Sequence, residues 1–197
     1  EIDEEYNKQI GTLLGDWTQP RHGQTGLGNF ITDAFKTVGQ ADFALTNSSG
    51  IRKGLQAGPI TKLNVVEILP FANRLLKFEC KGNDLYKIAQ TSALGTDSYG
   101  VSKIQISGFT FDFSVDSNGK VKVESAKING KPIDKNATYT GISLDYVIEG
   151  RAQRYMGFEP EKIYETGAID ADAVIEYIQQ NGEINPNNEQ RIKKVGN

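Results

Sequence analysis

The sequence predicts an α+β fold with mixed sheets, and three observations carry that expectation. Leu27, Phe30, Ile31, Ala34, Phe35 and Val38 share one face at helical spacing. Phe109, Phe111, Phe113 and Val115 alternate with Thr110, Asp112 and Ser114, the period-two signature of a strand with one buried face. Helices and hairpins then succeed one another without the regular strand–helix alternation of a parallel sheet.

Taken in order, the first helix runs from about Gln24 to Val38, with Gly39 ending it. Asp42 to Thr46 reads as a short strand leading into the polar turn Asn47-Ser48-Ser49-Gly50. Leu63 to Leu69 is open between a short helix and a strand, closed by Pro70. Arg74 to Cys80 reads as extended, Lys81-Gly82-Asn83 as a turn, and Asp84 to Leu94 as a helix. Asp116-Ser117-Asn118-Gly119 makes a hairpin into Val121 and Val123, and Asn129-Gly130 marks another turn. A strand near Thr138–Leu144 precedes an irregular stretch. A last helix runs from about Asp170, a plausible N-cap, to Gln180, with Ala173, Val174, Tyr177 and Ile178 on one face.

The chain has 197 residues, 38% of them hydrophobic and 24% charged, which suits one globular domain with a core of its own. A formal charge of −3 argues against a general nucleic-acid surface, which needs a basic stripe. It leaves room for a small phosphate-bearing ligand, because a few arginines in a pocket suffice. Cys80 stands alone, so neither an internal disulfide nor a cysteine zinc site is expected. No apolar run approaches the ~20 residues that cross a bilayer. Glu1 is not an initiator methionine, and the expectation is of a trimmed chain whose upstream part holds a targeting segment or another domain. Residues 1–20 read as a linker or N-terminal extension and 21–197 as the domain.

Catalytic chemistry is sparse. The one histidine, His22, has no companion at metal-ligand spacing, and no G-x-S-x-G elbow accompanies it. Neither G-x-x-x-x-G-K-[ST] nor G-x-G-x-x-G occurs. The expectation is therefore no catalytic residue and no metal site in this chain. Three loop clusters suit a ligand better. Arg21 precedes the amphipathic helix. Asn47-Ser48-Ser49-Gly50-Ile51-Arg52 sets small residues beside a guanidinium that forks onto phosphate or carboxylate. Leu69-Pro70-Phe71-Ala72-Asn73 offers a stiffened loop with an aromatic face on which a base can stack.

At these clusters the sequence resembles the C-terminal domain of the 5′-nucleotidase family, over about Arg21 to Ile192. Leu27-Gly28-Asn29-Phe30-Ile31-Thr32-Asp33-Ala34 looks like the family's glycine-asparagine helix. Asn47 to Arg52 looks like its N-G-G-G-I-R loop with two serines for glycines, and Ile68 to Asn73 like its L-P-F-G-N segment. Ser107-Gly108, Asn129-Gly130-Lys131-Pro132-Ile133 and Arg191-Ile192 come next in the family order. The resemblance implies a four-layer α/β/β/α arrangement with mixed sheets and a domain that grips a nucleotide or nucleoside. A separate metallophosphatase domain, in cis or as another chain, would hold the divalent metals and perform the hydrolysis. By that resemblance Phe71 and Tyr146 stack the base, Arg21 and Arg52 meet phosphate or sugar oxygens, Asn47 meets the base edge, and Asn73 supports.

One departure stands out. Where the family carries G-G-D-G-[FY], whose aspartate holds the sugar hydroxyls, this chain has Gly150-Arg151-Ala152-Gln153-Arg154-Tyr155. Gln153 is the candidate replacement, with Arg151 and Arg154 as the option for a more anionic ligand. The leading expectation is the substrate-binding part of a 5′-nucleotidase-like phosphohydrolase, incomplete as a catalyst alone and extracytoplasmic by family habit. The alternative is a non-catalytic interaction module that keeps the fold with altered or lost nucleotide recognition.

Overall fold

The computed structural model describes residues 2–95 and 103–196. A short helix α1 (Ile2–Tyr6) leads to strand β1 (Gln9–Leu13) and helix α2 (Gly26–Gly39). Next come β2 (Phe43–Asn47), a 3-10 turn (Ser48–Gly50), β3 (Gly58–Thr61), α3 (Lys62–Ile68), β4 (Arg74–Lys81) and α4 (Gly82–Ala93). Strands β5 (Ile104–Ser107), β6 (Phe109–Val115), β7 (Val121–Ile128), β8 (Lys131–Pro132) and β9 (Thr138–Leu144) fill the middle. The chain closes with α5 (Asp145–Met156), β10 (Lys162–Ile169), α6 (Asp170–Asn181), β11 (Glu183–Ile184) and β12 (Ile192–Lys194).

The strands form three sheets, ordered β11-β1-β3, β10-β4-β9-β2-β5 and β12-β6-β7-β8. Each contains one parallel pair (β1 with β11, β2 with β9, β12 with β6) among antiparallel ones, so all are mixed as expected. Helix α2 covers the five-stranded sheet and α4 lies against β7, giving the layered α/β/β/α arrangement. The two larger sheets are joined by aromatic rings in series. Phe78 meets Phe43 edge-on at 5.7 Å, Phe43 meets Phe109 at 5.6 Å, and Phe109 stacks on Phe111 at 5.9 Å. Edge-to-face pairs of this kind contribute beyond the area they bury. The chain passes from one sheet to the other at Gly108, whose φ is +82° and where an added Cβ would lie 2.2 Å from the Asp42 carbonyl oxygen. Cys80 is buried on β4, where desolvation, with Asp84 and Asp42 nearby, pushes its thiol up to about 12.

Local chemistry explains the helix starts. Thr25 caps α2 by accepting from the Gly28 N–H at 3.1 Å. Thr61 and Asn64 form a reciprocal capping box, which settles residues 62–68 as helix rather than strand. The expected turn at Lys81-Gly82-Asn83 is absent, because β4 runs straight into α4 and the Asp84 carboxylate takes the Lys81 N–H at 3.0 Å. Gly39 is the last helical residue, and it is Gln40 that adopts the left-handed cap. Asp170 is the first residue of α6, not its cap, and its carboxylate takes the Ala171 N–H and the Asn73 amide.

Two further expectations are corrected. Residues 145–169 are not irregular, since they carry α5 and β10. Helical periodicity is broken inside α5 by a kink at Glu149 and Gly150, the latter at φ +84°, while β10 is an exposed edge strand with little alternation to read. Residues 9–20 are not a linker. Strand β1 is the centre of its sheet, Leu13 and Trp17 are buried, and Trp17 pairs with Leu55.

Candidate functional site

The topology brings three loops to one end of the five-stranded sheet. Strands β2 and β9 run parallel and end at Asn47 and Leu144, and antiparallel β4 begins there, with Leu75 opposite Leu144. The turn from β2 to Arg52, the loop from Phe71 to Asn73 ahead of β4, and Tyr146 just past β9 must therefore be neighbours. Between them lies a cleft of about 440 Å³ lined by Asn47, Ser49, Gly50, Arg52, Phe71, Asn73 and Tyr146. A crevice beyond the carboxyl ends of parallel strands is where sheets of this type leave room for ligands.

The side chains are held differently. Phe71 is 59% exposed, an apolar ring left in water on a loop where Ala72 sits at φ +50°. Asn73 is fixed from behind: its amide donates to Asp170 Oδ2 at 2.9 Å, and the Asp170 N–H donates to the Asn73 carbonyl at 2.9 Å. Burial pushes the Asp170 carboxyl above its ordinary range, against the opposing pull of the Asn73 bond. Arg52 is exposed, with Nη1 donating to the Ser49 carbonyl at 2.9 Å and its backbone N–H bound to the Ile68 carbonyl. No carboxylate within 4 Å neutralises it among the described residues, so its fork is directed by backbone and left charged. By contrast Arg74, one residue from the cleft, is committed to Asp145, Glu149 and Glu165 and locks β4 to α5 and β10.

Tyr146 is half-buried, and the Arg151 guanidinium lies 4.1 Å from its ring centroid. The two lie on either side of the kink at Glu149 and Gly150. Tyr155, 1% exposed, packs beside Tyr146 with ring centroids 6.4 Å apart, and burial pushes its hydroxyl up. The two serines each anchor the turn. Ser48 Oγ accepts from Gln105 at 2.8 Å and Ser49 Oγ accepts from Asn47 Nδ2 at 3.0 Å. Asn47 Oδ1 is buried and without a partner among the described residues.

Five of the sequence-chosen residues thus converge: Asn47, Arg52, Phe71, Asn73 and Tyr146. Two do not. Arg21 is exposed on the bend before α2 and is not part of the cleft wall. Gln153 faces a different cavity, beside Tyr86, Lys87, Gln90 and Arg154, because the second half of α5 turns that face toward α4. Sequence reasoning missed Tyr155 and the structural weight of Ser49. The two serines in place of glycines were the available signal. Among the described residues no three His, Cys, Asp or Glu side chains gather as a metal-binding group.

Comparison with known proteins agrees with this geometry. The family model described as 5′-nucleotidase, C-terminal domain, matches residues 9–159. Endonuclease YhcR of Bacillus subtilis is 36% identical over 164 residues, covering 80% of this chain and 13% of that protein. Protein UshA of Yersinia enterocolitica is 29% identical over 186 residues, covering 93% of this chain and 32% of that protein. The crystal structure of a 5′-nucleotidase precursor from Thermus thermophilus superposes with a TM-score of 0.84 at 23% identity, over 100% of this chain and 41% of that one. At that identity the likeness is one of fold. The chain therefore spans a third or less of the length of these two curated relatives.

Proposed function

The chain belongs to the 5′-nucleotidase family through its C-terminal domain, and we propose that it grips a nucleotide or nucleoside for a 5′-nucleotidase-like phosphohydrolase. The observation that carries this is the cleft itself. An exposed aromatic and a second one backed by a guanidinium wall a 440 Å³ space lined by Asn47, whose amide oxygen has no partner among the described residues, and Arg52, which no described carboxylate neutralises. Aromatic faces stack bases, and a free guanidinium fork meets phosphate or sugar oxygens. In this reading Phe71 and Tyr146 hold the base, Asn47 its edge, and Arg52 the anionic part, with Asn73 as support. The relatives' names, one an endonuclease and others nucleotidases, share the nucleotide phosphoester as their object.

Hydrolysis belongs to a metallophosphatase domain, in cis or as a separate chain, that supplies the divalent metals. Arg21 would serve the ligand only from the face such a partner covers. Gln153 stands away from the cleft, which leaves the sugar position without the family's carboxylate. We place the whole assembly outside the cytoplasm. No helix among the described residues is long and apolar enough to cross a membrane.

Calorimetric titration with adenosine, AMP and UDP-glucose tests the reading. Saturable binding is expected, weakened roughly tenfold or more by Phe71→Ala and by Tyr146→Ala, since stacking contributes about 1–3 kcal/mol per base. The chain alone is expected to show no phosphatase turnover of AMP with Mn²⁺ or Zn²⁺. One observation favours the second reading, an interaction module with altered recognition: among the described residues no carboxylate lines the cleft to hold sugar hydroxyls. Absence of binding to all three ligands would favour it.

A further inference from the structure

We propose that Arg151 is a positioning residue for the ligand: its guanidinium covers one face of the Tyr146 ring, holds the ring in place, and leaves the other face for the base. The proposal rests on the reading of the cleft as a nucleoside or nucleotide site. The Arg151 guanidinium carbon lies 4.1 Å from the Tyr146 ring centroid, inside the range in which a cation is drawn to the negative face of an aromatic ring. Its Nη1 also donates toward the Tyr146 carbonyl at 3.5 Å. Tyr146 lines the cleft and Arg151 does not, so the cleft meets the ring on a side other than the one the guanidinium covers.

A continuous helix would not make this contact. Side chains three or four residues apart share a helical face, whereas those five apart stand about 140° apart around the axis. The helical path is broken between the two, at Glu149 (φ −85°, ψ 95°) and Gly150 (φ +84°). Nor does an ion pair account for where the arginine lies. Glu149, the carboxylate nearest to it in sequence, is taken by Arg74 at 2.9 Å. Arg151 is itself exposed, so the contact adds little to the core. What it changes is the freedom of a half-buried ring. Tyr155, 1% exposed, packs beside the same ring with centroids 6.4 Å apart, so Tyr146 is bounded by a fixed neighbour and by the guanidinium. A ring already ordered costs a ligand less to engage than one that binding must immobilise. Because Arg151 acts through the ring, its effect takes no account of a phosphate on the ligand.

The test is calorimetric titration of adenosine and of AMP against the 197-residue chain, Arg151→Ala and Tyr146→Ala. Arg151→Ala is expected to weaken both ligands by the same factor, roughly fivefold, the cost of ordering one side chain. NMR of labelled tyrosine rings in the ligand-free chain gives a second readout. The Tyr146 signals, identified by their loss in Tyr146→Phe, are expected to move on Arg151→Ala while those of tyrosines away from the contact stay. A loss confined to AMP would make Arg151 a phosphate contact and overturns the proposal. Unchanged affinity for both ligands, Tyr146 signals that do not move, or a shift of all tyrosine signals together overturns it as well. If Tyr146→Ala weakens both ligands while Arg151→Ala weakens neither, the cleft reading stands and the positioning role alone falls. If the wild-type chain binds neither ligand, both fall together.

Discussion

Asp170 shows how a residue that touches no ligand sets the cleft. It is buried at the start of α6, and its carboxylate accepts from the Asn73 amide at 2.9 Å and from the Ala171 N–H at 2.7 Å. Burial raises its proton affinity and the hydrogen bonds only oppose that, so the folded carboxyl holds its proton to higher pH than the unfolded one. Linkage then gives the sign. The contribution is fully present below the ordinary carboxylate value of 3.8 and is lost as pH rises through the raised one. Urea unfolding of the wild type and Asp170→Asn at acid and neutral pH should therefore show the wild type's advantage shrinking as pH rises. A difference constant with pH would mean that Asp170 ionises without penalty. Phe71 is the opposite case. Because its ring is 59% exposed, Phe71→Ala should change folding stability by no more than about 0.5 kcal/mol while weakening ligand binding. A large drop in Tm would make it a core residue instead.

Between elements, the joints matter more than the lengths. Gly108 lets β5 end in one sheet and β6 begin in another, and it does so at φ +82° with a carbonyl oxygen where a Cβ would go. Gly108→Ala combines backbone strain with a direct clash. It should cost roughly 3 kcal/mol, read as a lower urea midpoint with unchanged slope. Joints are also where the sequence was hardest to read. Helix α2 and strand β6 were legible because each buries one face, which writes a period into the chain. Helix α5 writes none, since Gly150 rotates its two halves apart, and β10 lies at a sheet edge with Ile163 and Tyr164 both exposed. The site obeyed the same logic. Asn47, Arg52, Phe71, Asn73 and Tyr146 lie in loops or at element ends, in segments that resemble the family's motifs, and that resemblance made their convergence readable. Gln153, which lies past the kink, faces a different cavity.

At the scale of the whole molecule, the family match ends at residue 159, yet the fold does not. Beyond it, β10 pairs with β4, α6 buries Val174 and Ile178, β11 pairs with β1, and β12 pairs with β6. Each sheet thus takes a strand from the last part of the chain. The tail is fastened between strands as well. The Asn29 amide donates to the Asn187 and Glu189 carbonyls at 2.8 and 2.9 Å, and Arg191, 6% exposed, ion-pairs with Asp33 at 2.9 Å and donates to the Ile106 carbonyl at 2.9 Å. Arg191→Ala removes the ion pair and the Ile106 bond together, but Asp33 is 26% exposed and still takes the Ser107 hydroxyl, so the variant should lose about 1.5–3 kcal/mol, still a large part of a typical domain's stability. A chain cut after Glu159 should fare worse, because it bares the edges of β1, β4 and β6 together. Far-UV circular dichroism through a urea titration is the measurement. The full chain is expected to unfold in one sigmoidal step and the cut chain to drift without one. A cooperative step in the cut chain, with a slope scaled to its length, would show instead that residues 9–159 fold alone and that the tail is an addition to a domain already complete.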